Sequence, residues 1–435
     1  MPREENYEPI PVSHNQAVRL GVAYGNESWV QPPCVFGLRI RGEVDVRLLE
    51  ESLSVIARRH SALRTFFPRD LPPGKAACMY PEAARWDLRV AVAGDDGSGA
   101  ADQVKWLHEP FELWQPPLMR AVLLSCGPSD WLIGLAVDHL NFDGASVGAL
   151  SLDLSRVWMK LAEGARPDQL AEPVVPYVDF IEWQWKWLDR FGPEALAYWI
   201  PRWEKSGKYP KLPIAQDGQP QEPNASGRIW QQSVPLPDLQ RMYDAVGANN
   251  SYFSLFMLVA TALFHVLSKT SEDELLGLLF PFANRLMPGS EQAVGYYINR
   301  LVLTIPRPTC PRLRDTAEAV RSATISALEY APLPYGLISS TLFADAVEQR
   351  PGEGYLFLNV QDAEQSYRVP GGSAVSDPMD SAEDFSDYPS LTVVYTLDRA
   401  SDQMILYCGY SSRFYSPDTV HGFMSEVIGT LTQGV

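Results

Sequence analysis

An α/β protein of two similar lobes is the fold this sequence predicts, on three observations. Strand-like and helix-like stretches alternate, and the alternation runs twice along the chain. At 435 residues the chain exceeds one ordinary hydrophobic core. A Pro- and Gly-containing stretch from Ser206 to Gly227 lies near the middle and reads as a linker. The expected division is an N-terminal lobe over 1–175, connecting helices and linker over 176–230, and a C-terminal lobe over 231–435.

The elements follow in order. Met1 to Tyr7 is charged and reads as loose. Ile10 to Gln16 is a turn, Val35 to Glu43 alternates as a half-buried strand, and Val46 to Arg59 is a helix, because Val46, Leu49, Leu53 and Ile56 recur at helical steps. Arg58, Arg59 and His60 are cations suited to its C-terminus. Ala62 to Phe67 reads as a strand, and Ala93 to Asp102 as a surface connection. Pro117 to Leu124 enters a further strand, and Trp131 to Val137 is a buried one. Asp138 to Gly144 is its terminal loop, and a helix begins at Ser146. Tyr177 to Trp203 is a Trp-rich helix whose aromatics suit packing better than a cofactor.

In the second half, the apolar run Ser251 to Leu267 reads as a core helix capped near Asn250 or Ser251. It carries Ser254, Thr261 and His265 and falls short of the roughly 20 residues a bilayer requires. Leu275 to Phe282, Gly295 to Ile305 and Tyr355 to Val360 are strands, with a helix near Leu313 to Glu329. Asp362 to Ser390 is acidic and reads as a mobile loop. Leu391 to Leu397 and Met404 to Tyr410 form a hairpin, and a last helix follows Pro417.

Composition narrows the function classes. The chain is 46% hydrophobic and 20% charged, as in a globular protein with an ample core. A net charge of −17 argues against a nucleic-acid or anionic-membrane surface. The five cysteines show no CxxC spacing, so no zinc knuckle or disulfide framework is indicated. Their odd number and the lack of a signal peptide point to the cytoplasm. In that compartment the sequons at Asn26-Glu27-Ser28 and Asn224-Ala225-Ser226 would go unused. No GxGxxG fingerprint, P-loop or metal-ligand spacing is present.

The chemistry-bearing stretch is Trp131 to Leu150, WLIGLAVDHLNFDGASVGAL. It sets His139 at a strand end, with Asp143 and Gly144 completing His-x-x-x-Asp-Gly. Asp138 and His139 are neighbours, so in extended backbone their side chains leave on opposite faces. Gly144 would allow close backbone approach. By itself the motif also suits a structural histidine, so its companions decide.

With those companions the sequence resembles the condensation domains of nonribosomal peptide synthetases, within the CoA-dependent acyltransferases of the chloramphenicol acetyltransferase fold. The central stretch is similar to that family's HHxxxDG, with His139 at the second histidine. Val12 to Gln16 is similar to its LSxxQ, Arg59 to Thr65 to RHxxLRT, and Pro110 to Leu124 to PFDLxxxPLxRAxLL. Tyr177 to Gln184 is similar to YxDYxxWQ, Gly295 to Arg300 to the GxFxNTxxLR strand, and Leu333 to Tyr335 to LPF. The ordered set covers nearly the whole chain.

The resemblance implies two acetyltransferase-like lobes in a V-shaped pseudo-dimer with a central substrate tunnel. It implies acyl transfer from the phosphopantetheine thioester of an acyl or peptidyl carrier protein to an amine, with a hydroxyl as second choice, in antibiotic-type secondary metabolism. No cofactor is held tightly and no metal is implied. His139 is the expected general base or acceptor-positioning group, and Asp143 a structural partner of an arginine, Arg64 or Arg285. Asn299 and Tyr297 are the expected tunnel residues, although Asn299 equally suits a brace for its strand. Asp138 departs from the family's first histidine and gives the D-x-x-x-x-D spacing of heterocyclization relatives, which lack the second histidine kept here. An acyl-CoA-dependent transferase and a non-catalytic recruitment module are the competing readings. A chain beginning with Met and carrying no adenylation or carrier domain suggests a free-standing enzyme, with an excised domain as the alternative.

Overall fold

A computed structural model describes residues 6–25, 32–72, 74–83, 86–92, 98–206, 212–214, 216–218, 227–247, 253–308, 312–342, 354–361, 365–377, 390–398 and 401–434. Both sequons, Cys310, most of the 206–227 linker and much of 362–390 lie outside these residues. The first half runs β1 (Tyr7–Pro11), α1 (His14–Gly25), β2 (Cys34–Arg41), α2 (Val46–Arg59), β3 (Thr65–Phe66), β4 (Lys75–Met79), β5 (Asp87–Val92), α3 (Ser98–His108), β6 (Met119–Gly127), β7 (Asp130–Val137), α4 (Gly144–Ala162), α5 (Pro167–Leu170) and α6 (Tyr177–Ser206). The second runs β8 (Gly227–Pro235), α7 (Gln240–Ala245), α8 (Leu255–Thr270), β9 (Leu275–Phe282), β10 (Asn299–Pro306), α9 (Leu313–Glu329), α10 (Tyr335–Leu342), β11 (Tyr355–Val360), β12 (Ser366–Val369), β13 (Gly372–Asp377), β14 (Ser390–Asp398), β15 (Gln403–Ser411) and α11 (Pro417–Gln433).

The chain forms two compact units. The first takes Met1–Arg190 together with two later segments, Ala283–Ile298 and Glu364–Ser381. Its main sheet has the order β12-β13-β2-β7-β6-β5, antiparallel except between β5 and β6. Strand β7 is interior to this sheet, and both of its faces are covered. Ile133, Leu135 and Val137 pack with α2 and α4 residues such as Leu53, Ile56, Leu154 and Trp158. Ala136 packs on the other side with Leu107 of α3. That double burial explains a continuous apolar run in place of alternation. Helix α4 buries Leu150, Leu154, Val157, Trp158 and Leu161, the three- and four-residue spacing of one face. A small sheet, β1-β4-β3, has its own core around Phe66, Phe67, Leu118 and Leu140.

The second unit takes the remainder, with the sheet order β10-β9-β11-β14-β15-β8. In it, β11 runs parallel to both neighbours and the other pairs are antiparallel. Helix α8 is buried along nearly its whole length and packs on α9 and α11, which accounts for its unbroken hydrophobicity. Among the described residues no helix is long and apolar enough to cross a membrane.

Four local expectations are corrected. Residues 61–64 form a 3-10 turn, leaving only Thr65–Phe66 as strand, because the His60 and Arg64 side chains are anchored sideways to α4 and β4. The cap of α8 is Ser254, whose hydroxyl accepts from the Met257 N–H at 3.3 Å. Strand β10 begins at Asn299, because the N–H groups of Tyr297 and Ile298 donate to a carboxylate and not to a strand. Residues 366–377 are a hairpin whose β13 extends the first unit's sheet against β2. Tyr367, Val369 and Ala374 are buried there, and Gly371, at φ +75°, turns the chain after Pro370.

Candidate functional site

The loop after β7 is fixed from several directions. Asp138 donates its N–H to the Leu118 carbonyl at 3.1 Å, and its carboxylate accepts from the Leu140 N–H at 2.8 Å, an Asx turn that bends the chain. Gln16 Nε2 donates to the Leu140 carbonyl at 2.7 Å, and Asn141 Nδ2 to the Thr65 carbonyl at 2.7 Å. Gln16 is itself held by a reciprocal cap with Ser13: the Gln16 N–H donates to the Ser13 hydroxyl at 3.2 Å and the Ser13 N–H to Gln16 Oε1 at 2.9 Å. Phe142 stacks on Phe36 with 5.3 Å between ring centroids.

On this scaffold His139 is half-buried. Its Nδ1 lies 2.9 Å from the Pro32 carbonyl oxygen. A carbonyl only accepts, so in the neutral ring Nδ1 carries the hydrogen and Nε2 the lone pair. No described residue bonds to Nε2. Burial first, and the Arg19 charge second, pull the imidazole down to about 4, so the ring is neutral across the physiological range.

Asp138, 4% exposed, does not bond to the ring; its bond goes to Leu140. Burial raises its carboxyl to about 6 against the stabilising Leu140 N–H and Arg19. The two neighbours therefore pull stability in opposite directions with pH. His139, lowered from 6.5, contributes stability that is full above 6.5 and is lost as pH falls toward 4. Asp138, raised from 3.8, contributes stability that is full below 3.8 and is lost as pH rises through 6. Asn at 138 keeps an oxygen for Leu140 and removes the buried charge. Asp138→Asn is accordingly expected to stabilise the fold above pH 6, by up to about 3 kcal/mol, and to lose that advantage near pH 4. Thermal unfolding of both proteins across pH 4 to 8 checks this, and an equal effect at all pH values would refute it.

Asp143 is the most heavily bonded carboxylate of the site. It caps α4, accepting from the Ser146 N–H at 2.9 Å and the Ser146 hydroxyl at 2.7 Å. Arg285 clasps it with a two-pronged pair at 3.0 and 2.9 Å. The Tyr297 and Ile298 N–H groups donate to it at 3.0 and 3.1 Å. The acid side chain is 1% exposed and the arginine 9%. Of the two candidate arginines the partner is therefore Arg285. Arg64 instead donates to the Met79 carbonyl and lies against Cys78 Sγ.

Tyr297 lies beneath the Arg285 guanidinium, 4.5 Å from ring centroid to cation, and against Tyr177 and Phe180. Its buried hydroxyl has no hydrogen-bond partner among the described residues, and burial raises its pKa despite the Arg285 charge. Asn299, in the second unit, spends its amide on the Ala331 and Leu333 carbonyls at 2.8 and 2.7 Å and accepts from the Tyr335 N–H. Of its two sequence-based roles, these bonds are those of a brace between β10 and the start of α10. Gly144, first residue of α4, is exposed; a Cβ there would meet nothing within 4 Å, so the surrounding protein does not require a glycine.

Sequence reasoning missed three supports. The Ser146 hydroxyl, which donates to Asp143, also joins Gly295, accepting from its N–H at 3.1 Å with the Gly295 carbonyl oxygen 3.0 Å away. His60, which follows the last residue of α2, is a tie between distant segments: its Nε2 meets Asp153 of α4 at 3.0 Å while its Nδ1 accepts from the Val294 N–H. Tyr177 donates its hydroxyl to the Tyr296 carbonyl at 2.7 Å. None of the three has a local sequence signal of the kind that the Ser-x-x-Gln cap at Ser13 has. Among the described residues no three His, Cys, Asp or Glu side chains gather as a metal site would require.

Malpinin synthetase of Mortierella alpina is 30% identical over 317 residues, covering 68% of this chain and 4% of that protein. The chain thus spans a small fraction of that relative's length. Among solved structures, the X-domain from teicoplanin biosynthesis in complex with OxyB matches with TM-score 0.77 at 17% identity, over 100% of this chain and 94% of that one. The first condensation domain of the calcium-dependent antibiotic synthetase, with a substrate analogue, matches with TM-score 0.74 at 15% identity, over 98% and 96%. These likenesses establish the fold, the chloramphenicol-acetyltransferase-like α/β arrangement of condensation domains. The family model described as Condensation domain matches residues 10–435, and the chain belongs to the condensation-domain family of nonribosomal peptide synthetases.

Proposed function

We propose that this protein transfers an acyl or aminoacyl group from a carrier-protein phosphopantetheine thioester to an amine, and that His139 Nε2 receives the acceptor. The observation that carries the reading is the anchored, neutral imidazole: Nδ1–H is tied to Pro32, and Nε2 keeps a lone pair to which no described residue donates, on a loop held by Asp138, Gln16 and Asn141.

A thioester is already activated, so the protein's task is to orient the nucleophile and handle one proton. The amine nitrogen donates to Nε2 and attacks the thioester carbon. The C–N bond forms, the C–S bond breaks, and the proton from nitrogen passes by way of Nε2 to the departing thiolate. A ring with a pKa near 4 is too weak a base to remove an amine proton in advance. It suits alignment followed by relay, since the amine becomes acidic only as the new bond forms. The Asp143–Arg285 network supplies rigidity: it joins α4, the 295–298 segment and the His139 loop in one buried assembly. Asp138, bonded to Leu140, and Asp143, bonded to Arg285, are both committed, which speaks against a heterocyclization-like use of the two acids. The phosphopantetheine arm enters as the substrate's carrier and no tightly bound cofactor is invoked.

The test offers one acyl group on a carrier protein and on CoA, with a panel of amines, and follows products by mass. Amide formation at least about tenfold faster from the carrier supports the proposal. Equal rates identify an acyl-CoA transferase, and partner binding with no turnover from any donor identifies a recruitment module.

A further inference from the structure

Arg19 is the one charged group acting on His139 that the bonded network around Asp143 does not include. It lies on α1 three residues after Gln16, hence on the same helix face. Gln16 reaches the Leu140 carbonyl, next to His139, and Asn15 reaches the Ile298 carbonyl at 3.2 Å. The first turns of α1 therefore bridge the His139 loop and the 295–298 segment. The Arg19 guanidinium stands 5.1 Å from the centroid of the Tyr296 ring, within that gap. It is half-buried, and among the described residues it makes no ion pair and no hydrogen bond. Arg285 and Arg59, by contrast, are both paired with carboxylates. The chain has 53 acidic residues against 36 Lys and Arg, so an acid partner would have been easy to supply. Half-buried against the Tyr296 ring and without an acid partner among the described residues, this guanidinium is available to an anionic ligand.

We propose that Arg19 binds a carboxylate carried by the acceptor, so that the acceptor is a free α-amino acid and not a carrier-bound aminoacyl thioester. A free amino acid holds its carboxylate one carbon from its amine, so a single small ligand presents an amine for Nε2 and an acid for Arg19. A carrier-bound acceptor has lost that carboxylate to the thioester. The phosphate of a pantetheine arm is an alternative anion, but the length of the arm separates it from the reacting carbonyl. Guanidinium and carboxylate form a two-pronged, charge-assisted pair that lysine reproduces only in charge. Carboxylate binding would also neutralise the second of the two causes that hold His139 low, making Nε2 a better proton relay when the acceptor is in place.

This inference rests on the acyl-transfer reading, and binding can be measured apart from turnover. The proteinogenic amino acids and their carboxamides are titrated into the whole protein by calorimetry, using wild type, Arg19→Gln and Arg19→Lys. The His139 imidazole is followed by NMR in the same samples. The expected result is one or more acids binding at least about tenfold tighter than their amides, a difference lost in R19Q and partly kept in R19K. The His139 pKa should rise with the acid and not with the amide. Acids and amides binding alike, no acid binding, or R19Q weakening both equally would overturn the proposal. Arg19-dependent binding without acyl transfer from any thioester would sink the acyl-transfer reading alone. Transfer to amines lacking a carboxylate, indifferent to R19Q, would sink the Arg19 proposal alone.

Discussion

Replacing His139 with alanine is expected to slow acyl transfer by about 100-fold or more, the low end of what proton transfer by a positioned side chain contributes, while the protein stays folded. The two effects separate because the imidazole has little structural duty. Its one hydrogen bond from the described residues goes to the Pro32 carbonyl, a loss of about 1 kcal/mol net. The loop around it is held by Asp138, Gln16 and Asn141, none of which bonds to the ring. The melting temperature should therefore move by only a few degrees. The pH profile gives an independent reading. A His139 near 4 produces no activity limb of its own between pH 5 and 8, and a limb near 6 would belong to Asp138 and vanish in Asp138→Asn. A His139-dependent limb at the ordinary 6.5 would contradict the anchored, neutral ring.

Replacing Arg285 with alanine is expected to do the reverse, costing stability first and activity as a consequence. It strips two charged hydrogen bonds from a carboxylate that is 1% exposed. Removing one partner of a buried pair generally costs about 3–5 kcal/mol. Asp143 would retain the Ser146 N–H, the Ser146 hydroxyl and the Tyr297 and Ile298 N–H groups, so the lower end applies. About 3 kcal/mol corresponds to a drop in melting temperature of roughly 10 °C for a unit of this size. Arg285→Lys should recover only part of it, because an ammonium cannot span both carboxylate oxygens. A shift under about 2 °C for the alanine variant would mean that the pair is not the tie between α4 and the 295–298 segment. Differential scanning calorimetry decides between the two.

The features legible in the sequence are those with a local cause. Helices α2, α9 and α11 stand where apolar spacing puts them, and β7, its loop and α4 follow from an apolar run ending in polar residues and a glycine. His139 and Asp143 are found by a six-residue pattern. What was not legible depends on contacts between distant residues. Two arginines were candidates for Asp143, and the choice of Arg285 rests on a contact spanning 142 positions. Gly295 to Ile298 has a strand's composition, but its N–H groups are drawn to Ser146 and Asp143. The hairpin at 366–377 was hidden by acidic, Gly- and Ser-containing flanks, although Tyr367 and Val369 alternate and Pro370-Gly371 marks its turn. Arg19 carried no pattern at all; its interest arises only where α1 approaches the His139 loop.

The most direct test of His139 as the acceptor's contact is a single-turnover measurement of acyl transfer from a loaded carrier protein to an amine, comparing wild type with folded His139→Ala. Product masses are read on a time course with the amine in excess. Amide formation by the wild type and a rate lower by at least about 100-fold in the variant are expected. Equal rates in the two proteins would contradict that role, leaving His139 a structural residue and placing the reacting amine elsewhere.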